Sequence, residues 1–168
     1  MKSEELRLIQ APLKEQYRED PESALITLRA SGKLGEGVTC KIETGKAIID
    51  AGLHQATGGD GFHICSGDLL LEALVACAGV TLNAVASAIG INVKEGTVYA
   101  EGDLDFRGTL AVSKEAPVGF KEIRLNFKLS SDASEQQLAN LLKLTERYCV
   151  VYQTLRNSPS MKVTVNNN

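Results

Sequence analysis

No two cysteines in this chain stand as Cys-x-x-Cys, no basic stripe runs through it, and no internal repeat or low-complexity segment divides it. Each absence removes a class of function. Zinc sites and thioredoxin-type motifs need closely spaced thiols, whereas Cys40, Cys65, Cys77 and Cys149 are separated by 25, 12 and 72 positions. A net charge of −3 speaks against a general nucleic-acid surface, because phosphate binding rests on clustered positive charge. The first residues, Met1-Lys-Ser-Glu-Glu-Leu-Arg7, are charged where a secretory signal would be apolar, and no apolar run reaches the length of a membrane span. The expectation is a cytoplasmic protein with neither nucleic acid nor membrane as partner. In such a reducing compartment a disulfide is transient and catalytic rather than structural.

What is present describes one globular domain. The 168 residues are 43% hydrophobic and 23% charged, and a chain of this size can remove roughly 70% of its unfolded surface from water, so neither disulfide nor metal is required for stability. Residues 1–22 are mixed and charged and read as an N-terminal extension or short helix, with 23–168 as the folded domain. Ala24–Ala30, Val38–Glu43 and Lys46–Asp50 alternate apolar and polar residues between glycines, which predicts a short antiparallel meander. Cys40 falls on one face of it. The glycine-rich segment Ala56–His63 matches neither common phosphate-binding spacing and reads as a flexible turn. His54, His63 and Cys65 lie nearby without a clear fourth ligand, so no metal or cofactor is expected.

A helix is predicted from about Gly67 to Ile89, ended by Gly90. Strands are expected at Val93–Glu101, Leu104–Val112 and Glu122–Leu129, punctuated by Gly102 and Ala116–Gly119. Asp132 with Glu135 signals the start of a second helix, from Ala133 or Ser134 to about Arg156. Its apolar positions, among them Leu138, Leu141, Thr145, Cys149 and Tyr152, recur at spacings of three and four and aim Cys149 inward. Pro159 stops it, and Met161–Val165 reads as a terminal strand. The order gives an α+β fold.

The first predicted helix is apolar nearly all round and must be covered on most faces. Cys77 lies inside it, and two readings stand side by side. Free cysteine is often a small core hydrophobe. A thiol on each of two central helices is also what two-step peroxide reduction needs, one sulfur attacking oxygen and the other resolving the sulfenic acid as a disulfide. The second reading requires a thiolate, which burial disfavours unless positive charge or a hydrogen-bond donor opposes it. Asp68 and Glu72, the nearby charges, are negative. Asp68 precedes Cys77 by nine residues, about 900° of helix, and so sits on the opposite face. It is either a first-turn residue favoured by the helix dipole or a partner for the thiol of a second subunit.

Gly67-Asp-Leu-Leu-Leu-Glu-Ala-Leu-Val-Ala-Cys77, followed by Cys149-Val-Val-Tyr-Gln-Thr-Leu155, resembles the OsmC/Ohr family of osmotically inducible and organic-hydroperoxide-resistance proteins over roughly Ser23–Val165. The resemblance implies an intertwined homodimer, with antiparallel sheets wrapped around two central helices and active sites at the subunit interface. By that resemblance Cys77 is the peroxidatic cysteine, Cys149 the resolving one, and Asp68 stands where the family has a glutamate that steadies a catalytic arginine. The implied activity is reduction of organic or inorganic hydroperoxides, with a dithiol as reductant. The chain departs from the pattern in three places. Ser66-Gly67 replaces a proline-containing turn and Asp68 the longer glutamate, Val150 replaces a proline, and no arginine lies between Arg29 and Arg107. His54, His63 and Lys46 are the remaining cations in reach, none with an arginine's bidentate fork. The departures favour an alternative, a catalytically weakened member of the fold that binds a small apolar ligand at the dimer interface. A purely structural partner protein is the third class.

Overall fold

The computed structural model describes residues 3–34, 40–42 and 51–165. Helix α1 (Ser3–Glu19) precedes strands β1 (Leu25–Leu34) and β2 (Cys40–Ile42) and a two-residue strand β3 (Ala51–Gly52). Strand β4 (Ile64–Cys65) leads directly into helix α2 (Ser66–Ile89). Strand β5 (Val93–Asp105), a one-turn helix α3 (Phe106–Thr109), strand β6 (Phe120–Ser131) and helices α4 (Glu135–Tyr148) and α5 (Val150–Arg156) complete it. Four strands pair antiparallel in the order β2-β1-β5-β6. The short β3 and β4 pair parallel, apart from that sheet. The architecture is α+β, as the order of elements predicts. Lys46–Asp50 lies outside the described residues.

The sheet has one covered face and one wet face, which is why its strands alternate. Val98, Ala100 and Leu104 of β5 pack against Leu71, Leu74, Val75 and Ala78 of α2, and Cys149 closes this core. Leu82 and Ala86, further along α2, meet Ile91 and Leu141 in a second cluster. On the wet face Asp103 accepts from Thr27 (2.5 Å) and from Arg124 (2.6 Å), and the Arg124 guanidinium, with Thr27, holds its carboxyl well below the usual carboxylate range. Helix α1 packs onto the rest of the chain: Tyr17 is 3% exposed and belongs to the main core.

Several expectations are corrected. Gly102 does not break the strand, because β5 runs through it with Leu28 and Ile123 as neighbours. A Cβ there would lie 2.4 Å from the Phe120 ring, so the glycine serves close approach rather than a turn. In place of a strand at Leu104–Val112, Asp105 caps α3 through the Arg107 N–H and grips the Arg107 guanidinium at 2.5 Å. The second long helix is two helices, broken at Cys149, and its N-cap is Ser134, in a capping box with Gln137. Met161–Val165 is not a strand: Val163 is 92% exposed, since alternation without a neighbouring ladder leaves backbone groups to water. Helix α2 is long and apolar enough, by length and composition, to cross a membrane. The expectation from run length missed this because Asp68 and Glu72 interrupt the run only at its start. Here its buried face, from Leu71 to Ala86, is packed inside the chain.

Candidate functional site

Cys77 and Cys149 come together where α2 passes the break between α4 and α5. Helical hydrogen bonding persists on both sides of that break, with the Cys149 N–H donating to the Thr145 carbonyl and the Gln153 N–H to the Cys149 carbonyl, each at 2.9 Å. Between them the extended ψ of 109° at Cys149 interrupts the ladder. The backbone N–H groups of Val150 and Val151, beside Cys77, favour its thiolate, and the Glu146 carbonyl is satisfied by the Gln153 side chain at 2.7 Å. The break therefore converts unused helix amides into donors for a sulfur. The adjacent β-branched pair Val150-Val151 is its one local signal in the sequence, because such residues lose χ1 freedom in a helix.

Both sulfurs are free thiols, and each bears on the other's ionisation. Burial pushes the Cys77 thiol up, but the Val151 N–H, the Cys149 thiol, the Thr81 hydroxyl and the Val150 N–H more than offset it and hold the thiol below its ordinary value. Cys149 is fully buried. Burial, together with the neighbouring Cys77 sulfur, pushes it up to about 11 despite backbone donors at Tyr152 and Val151. The pair is thus polarised into one sulfur disposed to be a thiolate and one disposed to keep its proton. Thr81, one helical turn after Cys77, was missed at the level of sequence, although a hydroxyl four residues from a cysteine on one helix is readable.

Asp68 is elsewhere. It stands in the first turn of α2, where burial raises its carboxyl and His54 partly opposes this. Glu72 is raised likewise by burial and by Asp68. Neither carboxyl bears on Cys77 of the same chain, in line with their places on the helix. His54 is fixed beside them: its Nδ1 accepts from the Ala56 N–H at 3.0 Å and its ring stacks on Phe106 at 4.9 Å. Tyr17 and Gln10 of α1 hold the same loop by donating to the carbonyls of Ala56 and Thr57. His63 is paired with Asp60 at 3.0 Å. Cys65 caps α2 by accepting from the Gly67 N–H. Among the described residues no cluster of three or more His, Cys, Asp or Glu side chains is placed to hold a metal. Arg107 and Arg124 are committed to Asp105 and Asp103. Cys40 and Arg29 lie in β2 and β1, their side chains outside what is described, and Lys46 lies outside the described residues altogether.

A groove of about 490 Å³ opens between β6 and the two C-terminal helices. Ile123, Leu125 and Phe127 form its floor, Tyr152 and Leu155 its wall, and Leu74, one turn before Cys77, its inner end. Its lining is apolar, with charged residues such as Lys121 and Arg156 also present.

The model of OsmC-like proteins matches residues 58–164. In fold the chain is similar to an OsmC-like hydroperoxide resistance protein from Jannaschia sp. CCS1, with a TM-score of 0.59 and 18% identity over 86% of this chain and 97% of that one. It is also similar to an OsmC-like protein from Mycoplasma pneumoniae, with a TM-score of 0.55 and 19% identity over 80% and 86% of the two chains. No curated protein matches it. The matched residues take in α2 with Cys77 and the α4–α5 break with Cys149, and on that match the chain belongs to the OsmC-like protein family.

Proposed function

We propose that this protein is a thiol-dependent hydroperoxide reductase in which Cys77 attacks the peroxide and Cys149 resolves the product. The observation that carries the reading is the polarised thiol pair, with Cys149 donating to a Cys77 sulfur that three further donors favour as thiolate. Four neutral donors do here what a guanidinium does in the family's pattern, and thiolate formation needs only that the charged form be solvated in place. The nearby groove suits the apolar part of an organic hydroperoxide, and a dithiol returns the disulfide to the reduced state. A homodimer belongs to the same reading. The face of α2 that this chain leaves uncovered carries Leu70, Ala73, Val80 and Ala84 and would meet the second copy; Asp68, which in this reading helps to organise the interface, stands on the opposite face of the helix and not in this stripe. We place the protein in the cytoplasm, where the dithiol pool is available.

Substoichiometric hydroperoxide is expected to produce a Cys77–Cys149 disulfide in the reduced protein. Peptide mapping that finds both thiols still free after exposure overturns the reading. The groove itself favours a second reading, an inactive member of the fold that holds a small apolar ligand. Such a protein shows no turnover with peroxide and dithiol, yet is stabilised against heat by the ligand.

A further inference from the structure

A second cavity, of about 530 Å³, lies between α1 and the loop that joins β3 to β4. Ile9, Ala51 and Leu53 give it apolar walls, and its titratable lining is Asp60 with His63. None of these residues has a part in the peroxide chemistry. The loop backbone holds the cavity open. A Cβ on Gly59 would strike the Leu53 carbonyl, so the loop can double back this closely only with glycine there. The Gly58 and Gly59 N–H groups donate to the Gln55 and His54 carbonyls at 3.0 Å each, while Gln10 and Tyr17 of α1 tie down the next two carbonyls, of Thr57 and Ala56. With both glycine amides used inside the loop, no nest of free N–H groups remains there for an anion.

The polar feature left to face a ligand is one edge of the His63 ring. His63 Nδ1 lies 3.0 and 3.1 Å from the two Asp60 carboxylate oxygens, and the Phe62 N–H donates to the same carboxylate at 2.9 Å. An ionised carboxylate only accepts, so Nδ1 carries the imidazole proton and, in the neutral ring, Nε2 carries the lone pair. The Cβ, Cγ and Nδ1 side of His63 is the anchored one: it lies over Gly52, where a Cβ would come within 2.5 Å of His63 Cβ and 3.5 Å of Nδ1. The Nε2 edge has no hydrogen-bond partner among the described residues, and the side chain is 46% exposed.

We propose that this cavity binds a small, neutral, apolar molecule through a hydroxyl that donates to His63 Nε2, and that phenols are the class it fits best. Charge rules out the alternatives. A carboxylate or phosphate would meet Asp60 a ring's width away with no amide to offset the repulsion, and a cation would find that carboxylate already committed to His63 and Phe62. No three His, Cys, Asp or Glu side chains among the described residues gather to hold a metal. A phenol O–H is a stronger donor than an aliphatic alcohol's, and its flat ring buries apolar area against Ile9 and Leu53 beside glycines that carry no side chain. The carboxylate, the imidazole and the hydroxyl then form one chain of hydrogen bonds, each polarising the next.

The test is a titration of the reduced full chain with para-ethylphenol and with its methyl ether, para-ethylanisole, which has the same ring but no donor. Backbone amide shifts are followed at about pH 8, where a free imidazole is neutral and a phenol is still protonated. The phenol is expected to shift the Gly58 and Gly59 amides and to bind about tenfold more tightly than the ether, as one good neutral hydrogen bond allows. In Asp60→Asn the carboxamide oxygen can still accept from the Phe62 N–H, but its NH₂ donates to Nδ1 and moves the ring proton to Nε2. That variant is expected to bind the two compounds about equally. Equal binding by wild type, shifts centred on Ile123 and Phe127 of the other groove, or no binding at millimolar concentration each overturns the proposal, and wild type alone decides these whether or not the variant folds. A tenfold preference for the phenol that survives in folded Asp60→Asn overturns it as well, because the donor preference would then not come from the Asp60–His63 pair.

Discussion

Burial alone would leave Cys77 protonated and inert, because an apolar helix offers a thiolate nothing to replace water. Its four donors reverse that balance, and the Thr81 hydroxyl is the one that a single substitution can remove without disturbing either the backbone or the second thiol. Thr81→Val keeps the shape and deletes the hydroxyl. A neutral hydrogen bond is worth about 1 kcal/mol net, so alkylation of Cys77 by iodoacetamide near neutral pH is expected to slow about fivefold. The sign follows from linkage: the native thiol is lowered, so thiolate reactivity persists below the ordinary thiol range and is lost as pH falls through the lowered value. The variant should lose reactivity at higher pH than wild type. Superimposable pH profiles for the two proteins would remove Thr81 from the site.

At the level of elements, glycine and the helix break decide the shape of the site. Gly102 lies under the Phe120 ring, whose Cε1 is 2.4 Å from where a Cβ would sit, and Phe120 helps to line the groove. Gly102→Val is expected to cost about 1–3 kcal/mol by overpacking, measured as a lower denaturant midpoint, and to weaken binding of apolar ligands in the groove. An unchanged midpoint would mean that the ring moves aside freely. These same elements mark what the sequence could and could not disclose. The limits of α2 are legible because an apolar run ends at Gly90, whose φ of 70° favours glycine. The one-strand course through Gly102 is not, because a glycine chosen for a ring contact looks like a glycine chosen for a turn. The α4–α5 break is hidden for a different reason. Its apolar spacing continues unbroken from Leu138 to Leu155, and only the backbone at Cys149 shows that two valine amides leave the helix for a sulfur. Cys77 and Cys149 were readable as a pair from their settings; the donors that polarise them were not.

The whole chain has an imbalance that one copy does not resolve. Helix α2 is apolar nearly all round, yet its buried positions run along one side only, and Leu70 and Val80 on the other are each 37% exposed. Ala73 and Ala84 continue that uncovered stripe, and small residues between larger ones let a second helix approach closely. Cys77 lies within this stripe, between Ala73 and Val80, and is half-buried, so a copy of α2 packed there would cover the thiol and strengthen every hydrogen bond to it by excluding water. Dimerisation and reactivity should therefore fail together. Val80→Lys places a charge in the centre of the stripe, where it would be desolvated without a partner. It is expected to convert a dimer to a monomer in sedimentation velocity and to slow peroxide turnover, while circular dichroism shows the fold retained. Wild type sedimenting as a monomer at high concentration would refute the dimer outright. A monomeric Val80→Lys protein with undiminished turnover would show that each chain holds a complete site, built from its own α2 and its own helix break.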